Sequence, residues 1–181
     1  MNIQNLNCLI DLHLHLDGSL PLHTVKELAA QQGITLQMTD GELKKKLSVP
    51  AGCRDLNEYL TKFEFPLTLM QTPEALEKCM HDLLTELEGQ GVQYCEVRFA
   101  PQLHTQKGMS QNEVIEAVKA GLYSVAGVKP ESIHAGIILC CMRGSDNGQQ
   151  NKITVEEAAR HLGSGVCAVD LAGAEALYPT E

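Results

Sequence analysis

The segment IDLHLHLDGSL (residues 10–20) places two carboxylates and two imidazoles on alternate positions, Asp11, His13, His15 and Asp17, with Leu12, Leu14 and Leu16 between them. On a strand, successive side chains point to opposite faces, so the four polar groups share one side and the leucines the other. His-x-His on one face sets the two Cα atoms about 6.6 Å apart, and Zn–N bonds of about 2.0–2.1 Å let one ion bridge both rings. His13 and His15 are therefore candidate metal ligands, preferred over a pair of hydrogen-bonded strand-end histidines. A catalytic zinc takes three protein ligands and keeps a position open for water, so this segment cannot complete a site by itself. Asp17, beside Gly18, reads as a substrate contact, an orienter of a ligand or a turn former.

The elements that must position these groups follow from periodicity. Alternation and apolar content predict a first strand over residues 3–16. Ser19 and Pro21 then open a helix with an apolar stripe of Leu22, Val25, Leu28 and Ala29, closed by Gly33. Thr39 or Asp40 caps a short second helix carrying Leu43 and Leu47, and a third runs from Asp55 until Pro66 breaks or kinks it. Thr72 with Pro73 starts the clearest helix, whose Leu76, Cys79, Met80, Leu83, Leu84 and Leu87 recur at helical spacing up to Gly89. Residues 92–100 alternate as a second strand. Ser110 and Glu113 form a capping box for a helix with Val114, Ile115, Val118 and Leu122 that stops near Gly127. Residues 133–142 are an almost continuous apolar strand, of the kind covered on both faces. Thr154 and Glu157 predict another capping box, with Ala158 and Leu162 facing inward, before a fourth strand over 166–171. Strands alternating with helices imply right-handed crossovers and a parallel α/β sheet, either small and open or half of an eight-stranded barrel.

Composition narrows the function classes. A chain of 181 residues with 44% hydrophobic and 20% charged residues has the make-up of one globular domain, residues 1–181. The net charge of −9 argues against a nucleic-acid partner. The short basic run Lys44, Lys45, Lys46 reads as a solvated face. Trp is absent and aromatics are 4%, which leaves no stacking platform for single strands. No apolar run is long enough to span a membrane. Seven cysteines without a C-x-x-C pair, and no charged-then-apolar leader, read as reduced thiols filling the core of a cytoplasmic protein.

DLHLHLDGSL resembles the opening strand of the adenosine deaminase family, within the metal-dependent amidohydrolase superfamily. YCEVRFAPQLH (residues 94–104), ILCCMRG (138–144) and VDLAGAE (169–175) match later family segments in order. The resemblance implies the first four parallel strands of a TIM (β/α)8 barrel, with a helical cap inserted after strand one over about residues 19–90. It implies one zinc ion held by His13 and His15, with His15 also beside the substrate, Asp17 on the ribose hydroxyl of a purine nucleoside, and the Gly173 backbone N–H on the purine ring. The implied reaction is hydrolytic deamination of adenosine or deoxyadenosine, with adenine or another aminopurine as the alternative substrate. Ala174 stands where an acidic residue is common in the family. The family's remaining catalytic groups lie on strands five to eight, so the resemblance implies an amino-terminal half with an incomplete zinc site and no catalytic residue of its own, inactive alone and prone to self-association through the open barrel edge. A non-catalytic relic or a metal-binding module that closes its site by dimerisation is the reading from a different class.

Other patterns carry less. Glu96 and Arg98 share a strand face and read as a structural ion pair in preference to a substrate contact. GSGVCA (163–168) fits a dinucleotide fingerprint but precedes a strand instead of following one. His134 begins His-Ala-Gly, yet Ile137 replaces the acid that would follow in the family's catalytic motif, so His134 reads as structural.

Overall fold

A computed structural model describes residues 8–129 and 131–180 of the chain. Four strands, β1 (Leu9–His15), β2 (Val92–Phe99), β3 (His134–Met142) and β4 (Val166–Ala172), form one sheet in the order β1-β2-β3-β4. Every neighbouring pair is parallel. Among the described residues seven α-helices connect them: α1 (Leu22–Gln31), α2 (Asp40–Leu47), α3 (Leu56–Leu60), α4 (Glu64–Leu69), α5 (Pro73–Gly89), α6 (Gln111–Tyr123) and α7 (Gly148–His161). The part of the first predicted strand at residues 3–7 lies outside the described residues.

Local chemistry sets most helix ends. Thr39 and Glu42 form a complete capping box on α2, and Ser110 and Glu113 another on α6. Asp55 caps α3, accepting from the Glu58 N–H at 2.9 Å. Thr72 caps α5 ahead of Pro73. Pro66 does not end a helix. A 3-10 turn at Thr61–Phe63 breaks the run first, and Pro66 sits in the opening turn of α4, where a missing N–H has no intrahelical partner to lose. Pro21 occupies the N-cap of α1 and Ser19 supplies no cap bond.

α7 departs from the expected capping box at Thr154 and Glu157. The helix begins at Gly148 behind Asn147, so Thr154 lies inside it, and the buried Thr154 hydroxyl donates to Gln111 Oε1 at 2.7 Å instead of capping. The polar run Gln149, Gln150, Asn151, Lys152 carried no apolar stripe to mark the first turns. Ala158 is buried, but Leu162 is 66% exposed, because the helix ends at His161 and the chain turns before β4.

The core lies between the outer face of the sheet and its helices. Val97 and Phe99 of β2 and Ile137 and Leu139 of β3 are buried with Met80, Leu84, Ile115 and Val118 of α5 and α6. Burial fades at both edges. Leu16 is fully covered, yet Ile10 and Leu12 on β1 are 58% and 54% exposed, and Val169 and Leu171 on β4 are 50% and 43% exposed. The leucine face of β1 is thus a packing face only at its carboxyl end. Cys79 and Cys95 fill the core, Cys140 and Cys141 are buried outside that cluster, Cys8 and Cys167 are exposed, and Cys53 is half-buried. Lys44, Lys45 and Lys46 are exposed in the last turn of α2. No helix among the described residues is long and apolar enough to cross a membrane.

Candidate functional site

The carboxyl ends of the strands open onto a cavity of about 620 Å³, within the range that takes a small-molecule ligand. His13 and His15 line it from β1, Arg98 from β2, Cys140 from β3 and Asp170 from β4. Leu56, Tyr59, Leu60 and Phe63, on α3 and the turn after it, supply the facing apolar wall. Parallel α/β folds place ligands at this end, because the loops that vary leave the sheet there.

The two imidazoles reach the cavity together, with ring centroids 5.5 Å apart and planes tilted by 45°. The Phe63 ring meets His15 edge-on at 5.8 Å and is itself braced by Tyr59 at 5.2 Å. Gly18 makes room for it, since a Cβ at that position would lie 2.8 Å from Phe63 Cε1. Burial lowers the His15 pKa, with Arg98 and His13 lowering it further and Asp170 opposing. The ring is thereby kept in the neutral form a metal requires. Two imidazoles fit a borderline-soft divalent ion such as zinc, but no group of three His, Cys, Asp or Glu side chains comes together among the described residues.

Asp17 follows the strand and is buried at 6% exposure. Burial pushes its carboxyl up to about 6, and hydrogen bonds from the backbone N–H groups of Asp17 and Gly18 only partly offset this. Its Oδ1 has no partner among the described residues. A buried acceptor without a donor costs about 1–3 kcal/mol, and this oxygen lies in the cavity wall, free to accept a hydrogen bond. Gly173 also lines the cavity, directly after β4, with φ at +114°. That left-handed region suits glycine alone and turns the backbone at the cavity mouth. Beside it, Arg143 pairs with Glu175 at 3.2 Å and donates to the Tyr178 carbonyl at 3.0 Å, with Ala174 between.

Glu96 and Arg98 do not pair. The Tyr94 hydroxyl donates to Glu96 Oε1 at 3.1 Å, while Arg98 pairs across the sheet with Asp170. Residues two apart on one strand project in parallel, and the partner two strands over comes closer to the guanidinium. His134 is exposed at the first position of β3, at the opposite end of the sheet from the cavity. Gly163 and Gly165 precede β4, so no phosphate-binding helix start follows them.

Two supporting residues had no sequence signal. Asn151 of α7 accepts from the Met142 N–H at 2.8 Å and from Gln102 Nε2 at 2.9 Å, and donates to the Met142 carbonyl at 2.9 Å. It extends β3 as a strand neighbour would. Buried Gln71 donates to the Leu67 and Leu103 carbonyls at 2.8 and 2.9 Å and accepts from the Gln106 N–H at 3.0 Å, tying α4 to the loop after β2. Single amides inside polar stretches look like surface, and only the fold reveals their partners.

Parallel strands with helices over the outer face, and a cavity lined by polar side chains at their carboxyl ends, define an α/β sheet of the kind that builds half of an eight-stranded barrel. The adenosine deaminase family profile matches residues 8–181. An adenosine deaminase from Haemophilus ducreyi is 48% identical over 177 residues, covering 95% of this chain and 51% of that protein. Among solved structures, an adenine deaminase from Arthrobacter aurescens superposes with a TM-score of 0.77 at 22% identity, over 94% of this chain and 50% of its own. An amidohydrolase from Burkholderia ambifaria, solved with bound zinc, gives 0.74 at 16% identity, over 95% of this chain and 46% of its own. The chain belongs to the adenosine deaminase family. It spans about half the length of the curated relatives it matches.

Proposed function

We propose that these residues form the first-strand, zinc-holding and nucleoside-facing part of an aminohydrolase that converts adenosine or deoxyadenosine to the 6-oxo nucleoside and ammonia. The unpartnered oxygen of Asp17 in the cavity wall carries this reading. Above about pH 6 its carboxyl is ionised, and a ribose hydroxyl donating to it would fill the acceptor that the protein leaves open. The apolar wall of Leu56, Leu60 and Phe63 suits the face of a purine, and the Gly173 N–H would donate to a ring nitrogen. His13 and His15 would hold the zinc. Bound zinc lowers the pKa of its water towards about 7 and so supplies hydroxide at neutral pH. His15, held by the Phe63 ring edge-on against it, would stand beside both the metal and the substrate. The resemblance puts the family's remaining catalytic groups on strands five to eight, and this chain spans about half the length of the curated relatives it matches, so turnover is assigned to the whole family-length protein.

The test is a chimera in which residues 8–181 replace the matching half of the Haemophilus ducreyi relative, with deamination followed by the ultraviolet absorbance of the purine. The chimera should turn over adenosine. Asp17→Ala should lower kcat/KM for adenosine by about 10–100-fold, the worth of a hydrogen bond to a charged group, and leave adenine far less changed. A folded chimera without adenosine turnover contradicts the reading.

A further inference from the structure

Arg98 stands on the inner face of the sheet, where barrels usually carry branched apolar side chains. Its side chain is only 12% exposed. What it touches is the irregular part of β1. Pairing with β2 runs Leu9–Val92, Ile10–Tyr94 and Asp11–Cys95, then resumes at Leu14–Val97 and His15–Arg98, so Leu12 and His13 fall within a shift of register. Two side chains hold this stretch. The Asp11 carboxylate accepts from the His13 N–H at 2.9 Å, and Arg98 Nη2 donates to the Leu12 carbonyl at 3.3 Å. Arg98 Nη1 donates to Asp170 on β4, and the Arg98 carbonyl accepts from the Leu16 N–H at 2.9 Å. One rigid, planar fork thus links β1, β2 and β4.

We propose that Arg98 is a positioning residue for the His13–His15 pair: braced on Asp170, it fixes the backbone of the shifted stretch so that both rings meet one metal ion. The assignment rests on the metal reading above. It has a consequence opposite in sign to that of a bare charge. A cation beside His15 repels a second cation, so if Arg98 acted through its charge alone, removing it would tighten zinc binding and lysine would replace it fully. A positioning role makes both changes harmful, because lysine keeps the charge and loses the fork.

Zinc alone is titrated calorimetrically into the full chain, with a nuclear Overhauser measurement between the His13 and His15 ring protons in the metal-free protein. Arg98→Met and Arg98→Lys should each weaken zinc binding by about 10–100-fold, the usual effect of removing a group that orients a ligand, and should abolish the ring-to-ring signal while urea unfolding shows a folded chain. Unchanged or tightened zinc binding, or a retained signal in both variants, overturns the proposal. If the unsubstituted chain binds no zinc, the same titration is made on the chimera that supplies the other half; no zinc there ends the metal reading, and the ring-to-ring signal then decides the positioning role alone. Should Arg98→Met not fold, Arg98→Lys and Asp170→Asn are read in its place by the same criteria.

Discussion

Gly121→Ala is expected to unfold the chain under ordinary conditions, or to lower its stability by at least the ~1–3 kcal/mol that overpacking a core costs. Gly121 lies in α6 where that helix crosses α5, and a Cβ there would overlap the Glu77 carbonyl oxygen and sit 2.9 Å from Met80 Cβ. The obstacle is backbone, so no rotamer change relieves it. The helices would have to separate, opening contacts among Leu76, Met80, Leu84, Val118 and Leu122, all buried. An ordinary helix would gain about 1 kcal/mol from glycine to alanine, so the sign itself is informative. Gly89→Ala, at a helical position with nothing near the added carbon, is the control and should leave the urea midpoint unchanged or slightly raised. A Gly121→Ala midpoint matching that control would show that α5 and α6 are not packed this closely.

The second large effect is a pair of opposed pH dependences. Asp17 is raised from 3.8 to about 6 by burial, so between these values the folded chain binds the proton more tightly than the unfolded one. Stability from this group is present at low pH and is lost as pH rises through the window, by up to about 3 kcal/mol. His104 is fully buried, its Nδ1–H donating to the Met70 carbonyl at 2.9 Å, and burial lowers it from 6.5 to about 4. Here the unfolded chain binds the proton more tightly, so stability is present above pH 6.5 and is lost on acidification, by about 3 kcal/mol. In the metal-free protein the two slopes nearly cancel. Asp17→Asn should be more stable than the parent at pH 7, should lose that advantage below about pH 4, and should show the acid sensitivity of His104 uncovered. His104→Asn, which keeps a donor for Met70, should instead grow more stable as pH falls through the window. Urea unfolding at intervals between pH 4 and 7 reads all three curves, and parallel curves would exclude both assignments.

How much of this the sequence showed depends on the range of the interaction involved. Strand alternation placed His13 and His15 at one cavity, which Asp17 joins from the turn just past β1, and short-range capping chemistry placed Thr39, Thr72 and Ser110 at their helix starts, because such signals act within a few residues. The same rule misled at Thr154, whose hydroxyl found Gln111 on another helix. Spacing alone put Glu96 and Arg98 together, whereas the partner of Arg98 is Asp170, 72 residues away. The leucines of β1 were legible as an apolar face but not as an exposed edge, since exposure depends on which helices cover the sheet. Asn151 and Gln71 gave no signal at all, because a buried amide and a solvated one have the same sequence.

X-ray absorption at the zinc edge of the metal-loaded chain addresses the site most directly. Two imidazole nitrogens at about 2.0–2.1 Å are expected, with one fewer in each of His13→Ala and His15→Ala. A zinc shell containing no imidazole, or one that neither substitution alters, would contradict the placement of the metal on β1.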